Sequence, residues 1–107
     1  MRRLVVRELA DQDARRATES YAVEAGLDVA LRFVARLQDT YAAIARLPDS
    51  GSPRWAHELS IPGLRSRSLK GFPWAAFYVV AEDRIEILRL LYLQSDIPAW
   101  LAVDPEA

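Results

Sequence analysis

The sequence predicts an α+β fold: an N-terminal strand, an antiparallel helical hairpin packed on a small antiparallel β-sheet, and a short C-terminal helix. Three observations lead to this prediction. The first half holds two stretches whose apolar residues recur every three or four positions, as on one face of a helix. Very few residues separate these two stretches. The second half holds three runs of β-branched and aromatic residues separated by tight polar turns, and such turns join antiparallel strands.

Two predicted helices follow a strand-like run at residues 4–8. Asp11 is expected to cap the first helix and Gly26 to end it, because such residues satisfy or relieve the unpaired backbone groups of helix ends. Asp28 is expected to cap the second helix, which ends before Pro48. A loop of two or three residues between the helices makes them antiparallel. Their apolar faces comprise Ala10, Ala14, Ala17, Tyr21 and Ala25, then Ala30, Val34, Leu37, Tyr41 and Ile44.

Three strands are predicted in the second half, at residues 64–70, 72–81 and 85–93, after a proline- and glycine-rich loop at residues 48–63. The last strand is apolar on both faces, which requires both faces of the sheet to be covered. The hairpin can cover one face. The other needs the C-terminal segment, a second copy or a partner. One face is predicted to carry Ile85, Ile87, Leu91 and Leu93, and the other Leu88, Leu90 and Tyr92.

Composition limits the possible classes of function. At 107 residues the chain is expected to form one domain, spanning residues 1–107. It has no cysteine and one histidine, His57, so we expect no disulfide, no metal site and no cofactor. No glycine-rich phosphate loop or catalytic triad is recognisable, which disfavours a self-contained small-molecule enzyme.

Charge and hydropathy bear on partners and location. A formal net charge of −1 disfavours a chain that binds nucleic acid through its overall charge, because phosphate binding needs a basic surface. No direct sequence-specific nucleic-acid binding is therefore expected. No segment stays apolar over the roughly 18 residues that a membrane helix needs, and the first residues lack the apolar run of a signal peptide. We therefore expect a soluble, cytoplasmic protein.

A cluster of cations marks the first predicted strand of the second half. Arg65, Arg67 and Lys70 lie close together, with no acid between Glu58 and Glu82. Arg65 and Arg67 share one strand face because side chains alternate along a strand. The cluster is either an anion-binding edge, for phosphate or for an acidic partner helix, or an ordinary edge strand whose charge discourages aggregation.

Arg89 lies inside the most apolar strand, so its side chain must reach the rim or be paired. We favour a salt bridge to Glu86 or to an acid in the helices over a role in lining a groove. Tyr78 and Tyr92 are interpreted as packing residues, because a phenol with an ordinary pKa near 10 needs cationic neighbours to transfer protons at neutral pH. His57 is expected on a surface loop.

Trp100 lies in the short predicted C-terminal helix. Asp96 is expected to cap this helix, and Pro98 suits its first turn. Trp100 is either a residue that seals the open face of the sheet, which we favour, or an exposed anchor for a partner.

Several short motifs occur in an order that resembles one known family. They are residues 46–54 (RLPDSGSPR), 62–66 (PGLRS), 70–73 (KGFP), 77–78 (FY), 85–89 (IEILR) and 96–98 (DIP). Together they resemble the ParE branch of the RelE/ParE toxin superfamily, over essentially the whole chain. Members of this family are small bacterial proteins that halt growth unless a co-expressed antitoxin covers them.

The resemblance implies a type II toxin–antitoxin pair in which a ParD-like antitoxin binds the toxin, in a heterotetramer or a higher complex. The positions implied for antitoxin binding are Arg65, Arg67, Lys70, Trp74, Tyr78 and Arg89. The implied target is DNA gyrase, poisoned without an active site, and the candidate target contacts are Tyr92, Asp96 and Trp100. The RelE branch instead cleaves mRNA on the ribosome, for which the candidate catalytic site is Arg65, Arg67, Arg89 and Tyr92.

Departures from the family pattern disfavour the ribonuclease. Val79 replaces an arginine that often follows the Phe-Tyr pair, and Tyr92 replaces a frequent histidine. Leu93, Gln94 and Ser95 occupy a stretch that usually carries an arginine. The same changes leave open a third interpretation, a non-toxic module that only binds an antitoxin.

Overall fold

The computed structural model describes residues 2–102. The predicted strands and helices occur in the predicted order, with one short additional helix, and the α+β fold is confirmed. The elements are β1 (Arg3–Val6), α1 (Glu8–Ala25), α2 (Leu27–Arg46), a 3-10 turn (Pro48–Ser50), α3 (Arg54–Glu58), β2 (Arg65–Ser68), β3 (Trp74–Val80), β4 (Arg84–Tyr92) and α4 (Ile97–Leu101).

The first helix begins earlier than predicted because it follows β1 with a single residue between them. The N–H of Arg7 donates to the carbonyl of Ile87 at 3.0 Å, which extends the strand pairing to the helix start. The Arg7 carbonyl then accepts from the N–H of Asp11 at 3.0 Å and closes the first helical turn. The predicted cap at Asp11 is therefore wrong, since α1 begins at Glu8.

One residue, Gly26, connects α1 and α2. Its φ of 102° lies in the left-handed region that glycine adopts without strain, so the predicted helix end is confirmed. The loop is shorter than predicted, and the cap at Asp28 is wrong because α2 already begins at Leu27. The two helices pack antiparallel as predicted, and their shared apolar face lies against the sheet.

The sheet has the strand order β1-β4-β3-β2. The pairs β2–β3 and β3–β4 are antiparallel, as short turns require. β1 pairs with β4 in parallel. The helical hairpin, β2 and β3 lie between these two strands along the chain. The sheet is therefore mixed, which corrects the expectation of an antiparallel sheet at this one edge.

A β-bulge in β4 changes which side chains face the hairpin. Phe77 pairs with Arg89 and Tyr78 pairs with Ile87, so Leu88 is an extra residue on β4. Beyond the bulge the alternation shifts by one position. Ile87 and Leu90 therefore pack on the hairpin side, whereas Leu91 packs on the opposite side. The prediction that placed Leu91 with Ile87 is wrong for this reason.

The second face of the sheet is covered by the chain itself. Its core consists of Leu64, Ala75, Phe77, Leu91 and Ile97. The helix α3 packs over this cluster through Trp55 and Ala56, although the sequence analysis treated the connector at residues 48–63 as a loop. Of the three predicted kinds of cover, the C-terminal segment is confirmed through Ile97, and α3 adds a cover that the sequence analysis did not predict.

Candidate functional site

A buried ion pair joins α1 to β4. Arg89 donates from Nε to Asp13 Oδ2 at 2.8 Å and from Nη2 to Asp13 Oδ1 at 2.9 Å. The Arg89 and Asp13 residues are only 4% and 8% exposed. The prediction of a salt bridge to a helix acid is confirmed, and the acid is Asp13 and not Glu86, whose carboxylate pairs with Arg7 and Arg84.

Asp13 also completes the edge of the sheet. β1 pairs with β4 only as far as Ile87, so the backbone of β4 beyond that point has no neighbouring strand on this side. The N–H of Leu90 donates to Asp13 Oδ2 at 3.1 Å, so a side chain takes the place of the missing strand. One carboxylate thus satisfies two donor groups of Arg89 and one backbone donor.

The same guanidinium holds the C-terminal helix. Arg89 Nη1 donates to the carbonyl of Trp100 at 2.9 Å, and its Cζ lies 5.5 Å from the centre of the Trp100 ring. Asp96 caps α4 by accepting from the N–H of Ala99 at 3.3 Å, as predicted. The Trp100 side chain remains 45% exposed. Ile97 and, next to it, Leu101 are the α4 residues that pack on the core of the second face of the sheet. The favoured prediction that Trp100 seals the open face of the sheet is therefore wrong.

A pocket of about 170 Å³ opens where α1, β4 and α4 meet. Trp74 and Tyr92 form one wall, with ring centres 5.4 Å apart in an edge-to-face arrangement. Trp100 and the Asp13–Arg89 pair also contribute to the lining. The pocket thus unites two residues predicted for antitoxin binding, Trp74 and Arg89, with two predicted for target binding, Tyr92 and Trp100.

The other predicted cations lie at the opposite edge of the sheet. Arg65 Nη1 donates to the carbonyl of Gly51 at 2.7 Å, and Arg67 Nη1 donates to Ser50 Oγ at 2.7 Å. Both side chains therefore hold the 3-10 turn and its neighbours against β2. Lys70 is exposed beyond the end of β2 and lines a second pocket, of about 180 Å³, with Arg67 and α2.

The buried side chain of Tyr78 also binds and packs against this connector. Its Oη donates to the carbonyl of Pro48 at 2.6 Å, and its ring leaves no space for a side chain at Gly51. Burial raises the pKa of Tyr78 above its ordinary value, although the nearby Arg65 and Arg67 partly oppose this shift. Tyr78 therefore stays protonated at neutral pH and serves as a hydrogen-bond donor, in line with its predicted packing role.

The predicted site residues fall into two groups and do not form one site. Trp74, Arg89, Tyr92 and Trp100 meet at the pocket, and Asp96 lies at the start of α4; Arg65, Arg67 and Tyr78 hold the connector, with Lys70 nearby. Sequence reasoning missed the role of Asp13. Its position three residues after Ala10 and four before Ala17, on a buried helix face, was the signal that could have matched it to Arg89.

Apolar side chains are exposed around the hairpin turn. Val23, Leu27 and Leu31 are 86%, 68% and 61% exposed. Leu27 and Leu31 are four residues apart and so lie on one face of α2. These residues form an apolar patch on a helix face that no other described element covers.

Other candidate chemistry is weak in the described part of the chain. His57 is exposed on α3. Within residues 2–102, no three or more His, Cys, Asp or Glu side chains are grouped so that they could hold a metal ion. Among the described helices, none is long and apolar enough to cross a membrane.

The comparisons with known proteins agree with this architecture. The family model described as the ParE toxin of the type II toxin–antitoxin system, parDE, matches residues 4–96. The chain belongs to this family. The match includes all of the predicted site residues except Trp100, which follows it.

A solved structure entitled "Chromosomal ParDE TA system from P. aeruginosa" contains a chain with the same fold. The TM-score is 0.70 at 24% sequence identity, over 88% of this chain and 98% of that one. Among curated proteins, no sequence matches this chain significantly.

Proposed function

We propose that this protein is the toxin of a type II toxin–antitoxin pair, that it acts in the bacterial cytoplasm by binding DNA gyrase, and that a ParD-like antitoxin neutralises it. The observation that carries this proposal is the closed ion pair between Arg89 and Asp13. It occupies the guanidinium of Arg89, the candidate catalytic arginine beside Tyr92, which favours a protein contact over phosphate binding by this residue.

RNA cleavage needs a cation free to stabilise phosphate charge and a side chain that can move a proton. Arg89 is the candidate catalytic arginine beside Tyr92, and its donors already bind Asp13 and the Trp100 carbonyl. The other arginine of the pocket, Arg16, lies on α1 and does not belong to the candidate catalytic residues. Releasing it would leave the Asp13 carboxylate buried without its partner, which is costly. The raised pKa of Tyr78 also opposes proton transfer from that residue. These contacts favour gyrase binding over the RelE-like activity.

Two surfaces suit an antitoxin that folds as it binds. The exposed residues Leu27 and Leu31 offer one face of a helix to an apolar partner, and Arg67 and Lys70 offer positive charge to acidic side chains. Together these surfaces match an amphipathic, acidic segment of the kind proposed for a ParD-like partner. The family match and the ParDE structure support the same partner.

The complex is proposed to be a heterotetramer or larger. Light scattering after size-exclusion chromatography of the co-expressed pair tests this, because it gives the mass directly. A mass equal to one toxin and one antitoxin would contradict the proposed stoichiometry.

The decisive experiment follows DNA and protein synthesis by pulse labelling after induced expression in bacteria. We expect DNA synthesis to stop first. An early stop in protein synthesis would instead favour the ribonuclease. Continued synthesis of both, with intact soluble protein, would leave the non-toxic antitoxin-binding module as the function.

Purified gyrase then tests the target directly. The wild-type protein is expected to inhibit supercoiling, and Trp100→Ala to inhibit it less, because this substitution removes an exposed aromatic side chain from a candidate contact. Leu47→Ala is the matched control, since Leu47 is also an exposed apolar residue but lies at the end of α2. Equal inhibition by all three proteins would remove Trp100 from the target contact.

A further inference from the structure

We infer that the pocket between α1, β4 and α4 is a recognition site for one large apolar side chain, preferably aromatic, that has a carboxylate beside it in the partner's chain. The partner is the toxin's protein target. That identity rests on the proposed function, whereas the chemistry of the pocket does not.

The size of the pocket fits one ring. Its volume is about 170 Å³, and an apolar protein cavity of about 150 Å³ is known to bind benzene. Trp74, Tyr92 and Trp100 supply aromatic surfaces, and Leu90 and Leu91 add aliphatic ones. An aromatic ring from a partner can therefore make edge and face contacts on several sides, as buried aromatic pairs prefer.

The pocket is also held in shape before any partner arrives. Trp74 Nε1 donates to Tyr21 Oη at 3.0 Å, and the Trp74 ring packs against Tyr92. The backbone of Trp100 is held through its carbonyl by Arg89, whose Cζ also lies 5.5 Å from the centre of the Trp100 ring. Little side-chain freedom is lost when such a pocket is filled, which favours its use as a binding hot spot.

The positive charge at the rim of the pocket predicts which residue lies next to the inserted apolar side chain in the partner. Arg89 lies within the lining, but Asp13 neutralises it. Arg16 is exposed at the same pocket and makes no hydrogen bond or ion pair with any residue in 2–102. Arg15, the preceding residue, is instead paired with Asp11 at 2.8 Å. Of the charged side chains that line the pocket, Arg16 is therefore the one without an ion-pair partner in residues 2–102; Glu19 and Glu24 line a neighbouring depression with it. A guanidinium that is free of such a pair is complementary to a carboxylate.

The target is a better occupant than an antitoxin or a second copy. The antitoxin is already assigned to other surfaces in the proposed function, and the pocket is not part of them. These surfaces are the apolar patch around Leu31 and the cations near Lys70. A second copy has two exposed aromatic side chains, Tyr92 and Trp100, but both line its own pocket. Its most exposed apolar side chains, Val23 and Leu27, lie beside the acidic residues Glu24 and Asp28 but are aliphatic.

A peptide titration tests the chemistry without any assay of toxicity. The probes are N-acetyl-phenylalanyl-glutamate amide and N-acetyl-phenylalanyl-lysine amide, followed by NMR of the indole N–H groups of the intact protein. We expect saturable shifts for Trp74 and Trp100 but not for Trp55, which packs on the opposite face of the sheet. The glutamate peptide should bind about two to five times more tightly, as expected for one exposed ion pair.

Arg16→Glu should reverse this preference, and Arg15→Glu, the matched control, should leave it unchanged. No saturable shift at Trp74 and Trp100, shifts equal to that of Trp55, or a preference that Arg16→Glu does not alter would overturn the inference. Because both variants lie on the exposed face of α1, loss of folding is not expected to obscure the result.

Growth arrest then tests the identity of the partner. We expect Arg16→Glu to arrest growth less than Arg15→Glu, while antitoxin binding by both variants stays equal. If Arg16→Glu weakens antitoxin binding and leaves arrest unchanged, the occupant is the antitoxin and the assignment to the target is wrong. If the wild type arrests no growth, the proposed function fails, and the titration still decides whether the pocket recognises this side-chain pair.

Discussion

The two sides of the sheet hold arginine side chains in opposite ways. The β4 end is the part of β4 beyond Ile87, which β1 does not cover, and the β2 end is the edge formed by β2. At the β4 end, Arg89 is buried against the carboxylate of Asp13, and the pair is electrically neutral. At the β2 end, Arg65 and Arg67 donate to uncharged oxygens of the connector and stay partly exposed. That end therefore keeps its positive charge.

This difference separates a structural role from a binding role. Breaking a buried ion pair leaves an isolated charge away from water, so mutations at the β4 end should strongly lower the free energy of unfolding. Replacing a guanidinium that is hydrogen-bonded to neutral groups near water should cost the protein little stability. Such a guanidinium can nevertheless attract an anionic partner. Arginine substitutions should thus lower stability at the β4 end and weaken partner binding at the β2 end.

The largest expected effect comes from Asp13→Ala. It leaves Arg89 buried without a carboxylate and the Leu90 N–H without an acceptor, so we expect a loss of about 3–5 kcal/mol in the free energy of unfolding, measured with urea. The double variant Asp13→Leu/Arg89→Met should recover most of this loss, because no buried charge remains.

Asp11→Ala is the control for the Asp13 variant. Asp11 pairs with Arg15 at the surface of the same helix, and such pairs contribute less than about 1 kcal/mol. Equal losses for Asp11→Ala and Asp13→Ala would show that burial does not distinguish the two carboxylates.

A second prediction probes the connector at the β2 end. In Gly51→Ala the added Cβ would lie 2.8 Å from Tyr78 Cζ and still closer to its hydroxyl, so the connector must move. We expect a loss of about 1–3 kcal/mol, as for overpacked cores, measured by urea unfolding. Ala substitution at Ser50, whose position is exposed, should cost less than about 1 kcal/mol. A Gly51→Ala variant as stable as the wild type would contradict the close packing.

A third prediction concerns the free energy of unfolding at alkaline pH and depends on Tyr41, which lies near Asp11 and Asp13. Burial, with smaller contributions from Asp11 and Asp13, raises the pKa of Tyr41 to about 12 from 10.0. The folded chain then keeps the Tyr41 proton to higher pH than the unfolded chain does. The resulting contribution is fully present below pH 10.0 and is lost as the pH rises towards about 12.

Urea unfolding across this pH range checks the effect on Tyr41. Tyr41→Phe should flatten the alkaline decline, and Tyr92→Phe, at an exposed ring, is the matched control. An unchanged decline in Tyr41→Phe would rule out Tyr41 as its source.

The smallest expected effect on stability is at Lys70 and Arg67. Lys70→Ala should change the free energy of unfolding by less than about 0.5 kcal/mol, and Arg67→Ala by about 1 kcal/mol or less. Both should nevertheless weaken antitoxin binding and reduce its salt dependence, as calorimetry at two salt concentrations can measure. Unchanged affinity would place the antitoxin away from the β2 end.

The order of elements was predictable because its signals are local. The apolar period of α2, the turn at Gly26 and the aromatic and β-branched run of β3 each depend on neighbouring residues, and the family resemblance relies on the same short motifs. The strand ends and helix caps were predicted less well. Arg7 continues the sheet bonding into α1, and no local preference for a cap at Asp11 could reveal this.

The sequence by itself determined the fold class, the family and the need of Arg89 for a partner, since an arginine among apolar strand residues must be paired. Only the tertiary structure decided that the partner is Asp13, 76 positions away along the chain. It also decided that Leu88 bulges, so that Leu90 and Leu91 change faces, and that α3 covers the second side of the sheet. These outcomes depend on which distant segments are packed together, and local spacing carries no information about that choice.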